Sequence, residues 1–120
     1  IDLGGEAVEG YMFTDFFDYS APPTQKSKDF IAAYEKKTGK KEVNSFTALG
    51  ADSYNVMVNA MNNCANPEDS VCINNEIKKT TAFEGVSGVI NIDKNGNATR
   101  SAVIKVIKDG KAVFKSTVNP

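Results

Sequence analysis

Phe83-Glu84-Gly85-Val86-Ser87-Gly88-Val89-Ile90-Asn91-Ile92-Asp93-Lys94-Asn95-Gly96-Asn97 is the stretch around which this chain is organised. Gly85 and Gly88 flank Val86-Ser87, a short β-branched run follows, and Lys94-Asn95-Gly96-Asn97 closes it. Asn-Gly after alternating apolar residues is a strong hairpin signal, because both residues tolerate positive φ. Beyond that turn Ser101 to Lys108 alternates again, with Ala102, Ile104 and Val106 on one face. Asp109-Gly110 predicts a second turn and Lys111 to Val118 a third strand. Upstream of Phe83 the pattern is helical around one early strand. The chain therefore passes here from α/β character to a β-meander.

Working back toward the amino end, the helices carry their own start and stop signals. Thr24 to Thr38 is amphipathic, with Phe30, Ile31 and Tyr34 on one face, Lys36 and Lys37 near the carboxyl end, and Gly39 as the expected cap. Ser45 to Asn63 holds the most regular helical pattern: Tyr54, Met57, Val58 and Met61, with Leu49 further back, predict its buried stripe. Thr47 or Ser45 is the expected N-cap. A shorter helix is predicted over roughly Asp69 to Thr80, buried through Ile73 and Ile77. The early strand spans Gly10 to Asp15 and exits into Phe16-Phe17-Asp18-Tyr19. Aromatics in a loop either cap the core or line a cleft, since loops otherwise run over the surface. Asp15 and Asp18 read as solvated acids beside the strand end.

Composition narrows the chemistry. The 120 residues suffice for one domain with a modest core. With 14 basic and 15 acidic residues there is no basic footprint for nucleic acid or for a membrane surface. No apolar run approaches the ~20 residues of a membrane span. There is no His, so the commonest general base and metal ligand are both missing, and no nucleophile–base set is present. No enzymatic role, metal or cofactor is expected. Ile1-Asp2-Leu3-Gly4-Gly5 reads as the interior of a longer chain from which any signal segment has gone.

Cys64 and Cys72 have neither redox nor zinc spacing. They read as a structural disulfide between two helices, which implies an oxidising compartment, or else as two free thiols. Asp93-Lys94-Asn95-Gly96-Asn97 is not a calcium loop: its glycine is fourth rather than sixth, and Ile104 stands where the bidentate acid belongs.

The order of these features resembles a known family. Gly10-Tyr11-Met12-Phe13-Thr14 precedes a helix ending Ala33-Tyr34-Glu35-Lys36-Lys37-Thr38-Gly39. Then come Ala48-Leu49-Gly50-Ala51-Asp52-Ser53-Tyr54, the Phe83 to Gly88 stretch, Ile92 to Asn97, Ala102 to Val106, and Asp109-Gly110-Lys111. The whole resembles the carboxyl-terminal part of branched-chain amino acid-type periplasmic binding proteins of ABC importers. Ala51 departs from the Tyr usual in that family.

The resemblance implies an α/β fragment of a bilobal type I periplasmic-binding-protein fold. One early strand and three helices would be followed by a three-stranded β-meander. Residues 1–9 would end a second-lobe segment, 10–85 would complete the first lobe, and 86–120 would hold a hinge crossing and the second-lobe meander. It further implies a periplasmic solute-binding component that closes on an amino acid or similar small molecule and presents it to an ABC permease. A ligand-sensing domain of the same fold is the alternative, followed by an interaction module that adds strands to a partner. Lys105, Lys108, Lys111 and Lys115 argue against the last, since charged edges discourage pairing.

The candidate ligand wall is Tyr11, Phe13, Phe16 and Phe17, with Phe46 at a helix entry, because α/β folds place ligands at strand exits and helix entries. A lone early strand leaves the apolar stripes of both long helices uncovered. Either the meander folds back onto them, or two copies associate; a dimer is the expectation.

Overall fold

The computed structural model describes residues 1–120. A 3-10 turn at Gly5–Val8 leads into β1 (Met12–Asp15), then α1 (Gln25–Thr38), α2 (Ser45–Asn62) and α3 (Ser70–Lys78). Next come β2 (Phe83–Glu84), β3 (Val89–Ile92), β4 (Ala98–Thr99), β5 (Ala102–Lys108) and β6 (Lys111–Val118). The strands form two three-stranded sheets, β2-β3-β4 and β1-β5-β6, in which every pairing is antiparallel.

Each helix starts where a side chain satisfies free backbone N–H groups. Thr24 caps α1, and Thr24 and Ser27 exchange bonds with each other's backbone in a capping box. Gly39 closes α1 in the left-handed conformation. α2 is capped by Asn44, whose Oδ1 accepts from the Thr47 N–H at 2.8 Å, in place of the predicted Thr47 or Ser45. Asp69 caps α3 by accepting from the N–H groups of Val71 and Cys72. The predicted disulfide is present: Cys64 and Cys72 are bonded with their Cα atoms 6.0 Å apart. Closing a loop of this size contributes about 2–3 kcal/mol by restricting the unfolded chain.

The strands expected after Gly88 all form, and their pairing divides them over both sheets. The Asn95-Gly96 turn brings only Asn91 opposite Thr99 and Ile92 opposite Ala98. The chain then leaves that sheet at Arg100-Ser101. β5 pairs with β1, from Met12 opposite Val106 to Asp15 opposite Val103, and with β6 beyond the Asp109-Gly110 turn. β1 would otherwise present a row of unpaired N–H and C=O groups, and the seven-residue β5 is long enough to cover it.

Within β5 the buried face is the reverse of the one expected. Val103 and Ile107 are buried, while Ala102, Ile104 and Val106 are only half covered. Lys105 lies between the buried pair on the same face. Its ammonium sits 2.8 Å from Asp15 and 3.4 Å from Asp18. Those acids are therefore not a solvated pair: they neutralise an inward-facing lysine, which lets this face turn inward. An extra residue, Lys115, falls in β6 where the register shifts between Ile104 and Lys105.

The main core joins Phe17, Ile31, Val43, Ala48 and Val86, with Phe30, Tyr34 and Ala51 packed against it. On α2 the buried residues are Ala48, Asp52 and Ala60. Two members of the predicted stripe are instead open, Tyr54 at 69% and Met57 at 44% exposure. The helix is rotated so that Asp52 reaches the Val86-Ser87 backbone. The lone strand that motivated a dimer is not alone, since β5 and β6 complete its sheet, and Val86 returns onto the helices. The Val86 loop, rather than β5 and β6, covers part of the helices' apolar face, and association of two copies gains no support.

Candidate functional site

The Gly85–Gly88 loop is the most heavily bonded non-repetitive segment, and α1 and α2 both supply its bonds. Asp52 accepts from the Val86 N–H through Oδ1, and through Oδ2 from the Ser87 N–H at 2.8 Å and from the Ser87 hydroxyl. From the α1 start, Ser27 Oγ donates to the Val86 carbonyl at 2.6 Å and Thr24 Oγ1 to the Gly85 carbonyl at 2.7 Å. A Cβ on Gly85 would stand 2.7 Å from Asp52 Oδ1 and 2.8 Å from Ile90 Cδ1, so the close approach requires glycine. No buried side-chain nitrogen or oxygen lacks a partner.

Arg100 extends this network. Its Nη1 donates to Ser87 Oγ at 2.8 Å, and its guanidinium lies 4.9 Å over the Phe16 ring. Partial burial lowers the Arg100 pKa from its ordinary value and the negative charge of Asp52 opposes that fall, so the group stays a cation. At Asp15, burial by itself would raise the carboxyl. Hydrogen bonds from Lys105, from the Phe16 N–H and from Ser45, with the Lys105 charge, outweigh burial and hold it below the usual carboxylate range.

A cavity of about 230 Å³ opens beside this network. Phe16, Phe17 and Thr24 line one side, Ser87 and Gly88 the floor, and Val103, Thr117 and Asn119 the side formed by β5, β6 and the β6 exit. It is smaller than the roughly 300–1,000 Å³ typical of small-molecule sites, and so suits a small ligand or part of a larger cleft. Apolar walls with hydroxyl and amide groups at the rim can hold a small amphipathic molecule. They offer no nucleophile–base pair for chemistry. No group of three or more Cys, Asp or Glu is placed to hold a metal ion.

Of the five aromatics expected in one wall, the structure brings Phe16 and Phe17 to this cavity. Phe17 is also part of the core at 1% exposure. Phe13 lies on β1 opposite Lys105, half buried. Tyr11 and Phe46 stand in the open at 63% and 78% exposure, away from the cavity. The sequence reading gave Asp52, Ser87 and Arg100 no role, and it took Lys105, which here pairs with Asp15 and Asp18, for an edge charge. Asp52 carried a usable signal, being the only charged residue between Ser45 and Asn62.

A family model described as periplasmic binding protein matches residues 1–112. No curated protein matches the chain. Among solved structures, the leucine-binding protein LivK of Thermotoga maritima is similar at 41% identity and TM-score 0.88, over 100% of this chain and 34% of that one. LivJ of Streptococcus pneumoniae, a branched-chain amino acid transporter substrate-binding protein in complex with isoleucine, is similar at 29% identity and TM-score 0.76, over 91% of this chain and 30% of that one. A solute-binding protein of an R. palustris ABC transporter, in complex with benzoate, shares the fold at 15% identity and TM-score 0.75, over 99% and 32% of the two chains. The chain thus spans about a third of the length of these structures. No helix is long and apolar enough to cross a membrane. With two sheets and three helices matching part of the type I fold, and the family model covering everything up to the start of the last strand, the chain belongs to the periplasmic binding protein family, an extracytoplasmic class of solute-binding proteins.

Proposed function

We propose that the chain forms part of a periplasmic component of an ABC importer that binds a small aliphatic amino acid by closure of two lobes and presents it to a membrane permease. The observation that carries this is the 41% identity and 0.88 TM-score to a leucine-binding protein over the full length of the chain. The cavity beside Phe16 and Ser87 supports it, since it lies against both the helical part and β5. The protein does no chemistry. Its work is to exchange the ligand's water shell for a closed site.

The lobe division is drawn where the chain leaves and re-enters the β1-β5-β6 sheet, at Asp15 to Asp18 and at Arg100 to Ser101. The sequence-based boundaries fall instead at residues 9/10 and 85/86. Antiparallel pairing of β1 with β5 favours grouping β1 with the final strands. Phe16 is the aromatic proposed to meet the ligand, with Phe17 behind it; Tyr11, Phe13 and Phe46 do not line the cavity.

Calorimetry on the intact protein tests the reading. Leucine, isoleucine or valine is expected to bind at micromolar Kd or tighter, about −8 kcal/mol, and benzoate not to bind. Phe16→Ala should weaken that binding without loss of the folded state. Absence of binding by all three amino acids overturns the proposal.

A further inference from the structure

Only two chain segments join the β1-β5-β6 sheet to the helical part: the exit of β1 and the Arg100-Ser101 step between β4 and β5. No helix packs broadly against that sheet. Two cations span the segments. Lys105, on β5, reaches Asp15 at the end of β1 and Asp18 just beyond it. Arg100, in the second segment, donates to Ser87 in the helical part and covers Phe16 in the first segment.

The two contacts differ in how they let go. The side chains of Lys105 and Asp18 are 15% and 6% exposed, and Asp18 also accepts from the Ser20 N–H at 2.9 Å and from its hydroxyl at 2.6 Å. Separating them would strand charge in a dry place, so this end acts as a pivot. Arg100 holds one hydrogen bond and one ring face. It is half exposed, so water can take over both contacts as the ring slides away.

We infer that Arg100 is a positioning residue: it latches the two connections together and sets the angle between the β1-β5-β6 sheet and the helical part, with Lys105 as the pivot. This rests on the reading above, in which the two sheets belong to separate lobes. Ligand affinity then includes the latch, because loosening it spreads the protein over more angles and reduces the share competent to close on ligand.

Spin labels on α1 at Lys28 and on β6 at Lys111, both exposed, read the angle directly in the intact protein. Without ligand, Arg100→Met should shift or broaden the label distance distribution. Phe16→Leu, which removes only the ring face, should do so to a smaller extent, and the double variant should move the distances no further than Arg100→Met, because the arginine's loss already removes the ring contact. Arg100→Lys, which keeps a cation over the ring but loses the fork, should fall between. Leucine Kd should rise about three- to ten-fold in Arg100→Met. An unchanged distribution in Arg100→Met, or additive effects of the two substitutions, overturns the latch. If wild type binds no amino acid, the proposed function fails while the distances still decide the latch. If Arg100→Met does not fold, Arg100→Lys and Phe16→Leu decide it by the same distances.

Discussion

Asp52 and Asp93 each hold a loop by accepting backbone N–H groups, and the two loops differ in reach. Asp52 bonds Val86 and Ser87, 34 and 35 residues away, in a buried site. Asp93 bonds the N–H groups of Asn95 and Asn97, both at 2.8 Å, within its own surface turn. The bond chemistry is the same. The first carboxylate joins a helix to the loop that leads into β3, and the second shapes a turn. A carboxylate ties the fold together more the more water it excludes, and only slowly more the longer the loop it closes.

The largest expected effect follows at Asp52. Asp52→Ala leaves two buried N–H groups and the Ser87 hydroxyl without their acceptor. At roughly 1–3 kcal/mol for each stranded group, the loss should reach about 3–5 kcal/mol. Asp93→Ala should move the denaturation midpoint far less, because water reaches the freed N–H groups. Chemical denaturation of both variants checks the pair, and equal midpoint shifts would break the comparison.

The glycines of the two loops give the next contrast. Gly85→Ala places a methyl against Asp52 and Ile90 at distances no real contact tolerates, so the loop must move off its bonds, at about 1–3 kcal/mol. Gly96 has φ +87 and no neighbour within 4 Å of an added Cβ, so Gly96→Ala meets only backbone strain, about 1 kcal/mol. Thermal unfolding distinguishes the two. The comparison sharpens if only Gly85→Ala also alters amide exchange in α2, since that helix carries Asp52.

These pairs also mark what the sequence could convey. Turn residues, caps and apolar periods act over a few positions, so the three helices and both glycine turns were legible with near-correct bounds. The pairing of β1 with β5 joins Asp15 to Val103, and no local signal encodes a contact across that span. The buried faces of α2 and β5 were misjudged for a related reason. Apolar spacing favours Tyr54 and Met57, yet Asp52 and Lys105 point inward because partners from elsewhere in the chain satisfy them. A buried charge is the residue type for which hydropathy misleads most. The cavity beside Phe16 was half legible: the aromatic cluster marked it, while its far side comes from β5, β6 and the β6 exit, which only the nonlocal pairing brings there.

The smallest expected effect is the acid titration of Asp93. The Asn97 N–H bond comes first, the opposing effect of burial second, and the Asn95, Asn97 side-chain and Gly96 bonds add to the first, so the carboxyl lies below its ordinary value. A carboxyl whose folded pKa is below its unfolded value contributes stability that is complete above the unfolded value. That stability is lost as pH falls through the folded one. With an unfolded Asp near 3.9, the window opens below about pH 4. Carbon-detected NMR should show the Asp93 carboxyl titrating there, with the Asn95 and Asn97 amides following it. The amides of Val86 and Ser87 should not follow the Asp93 titration, because neither bonds to Asp93. If they did, the turn and the buried loop would open as one unit. The difference in reach between the two carboxylates would then have no counterpart in how the chain responds to acid.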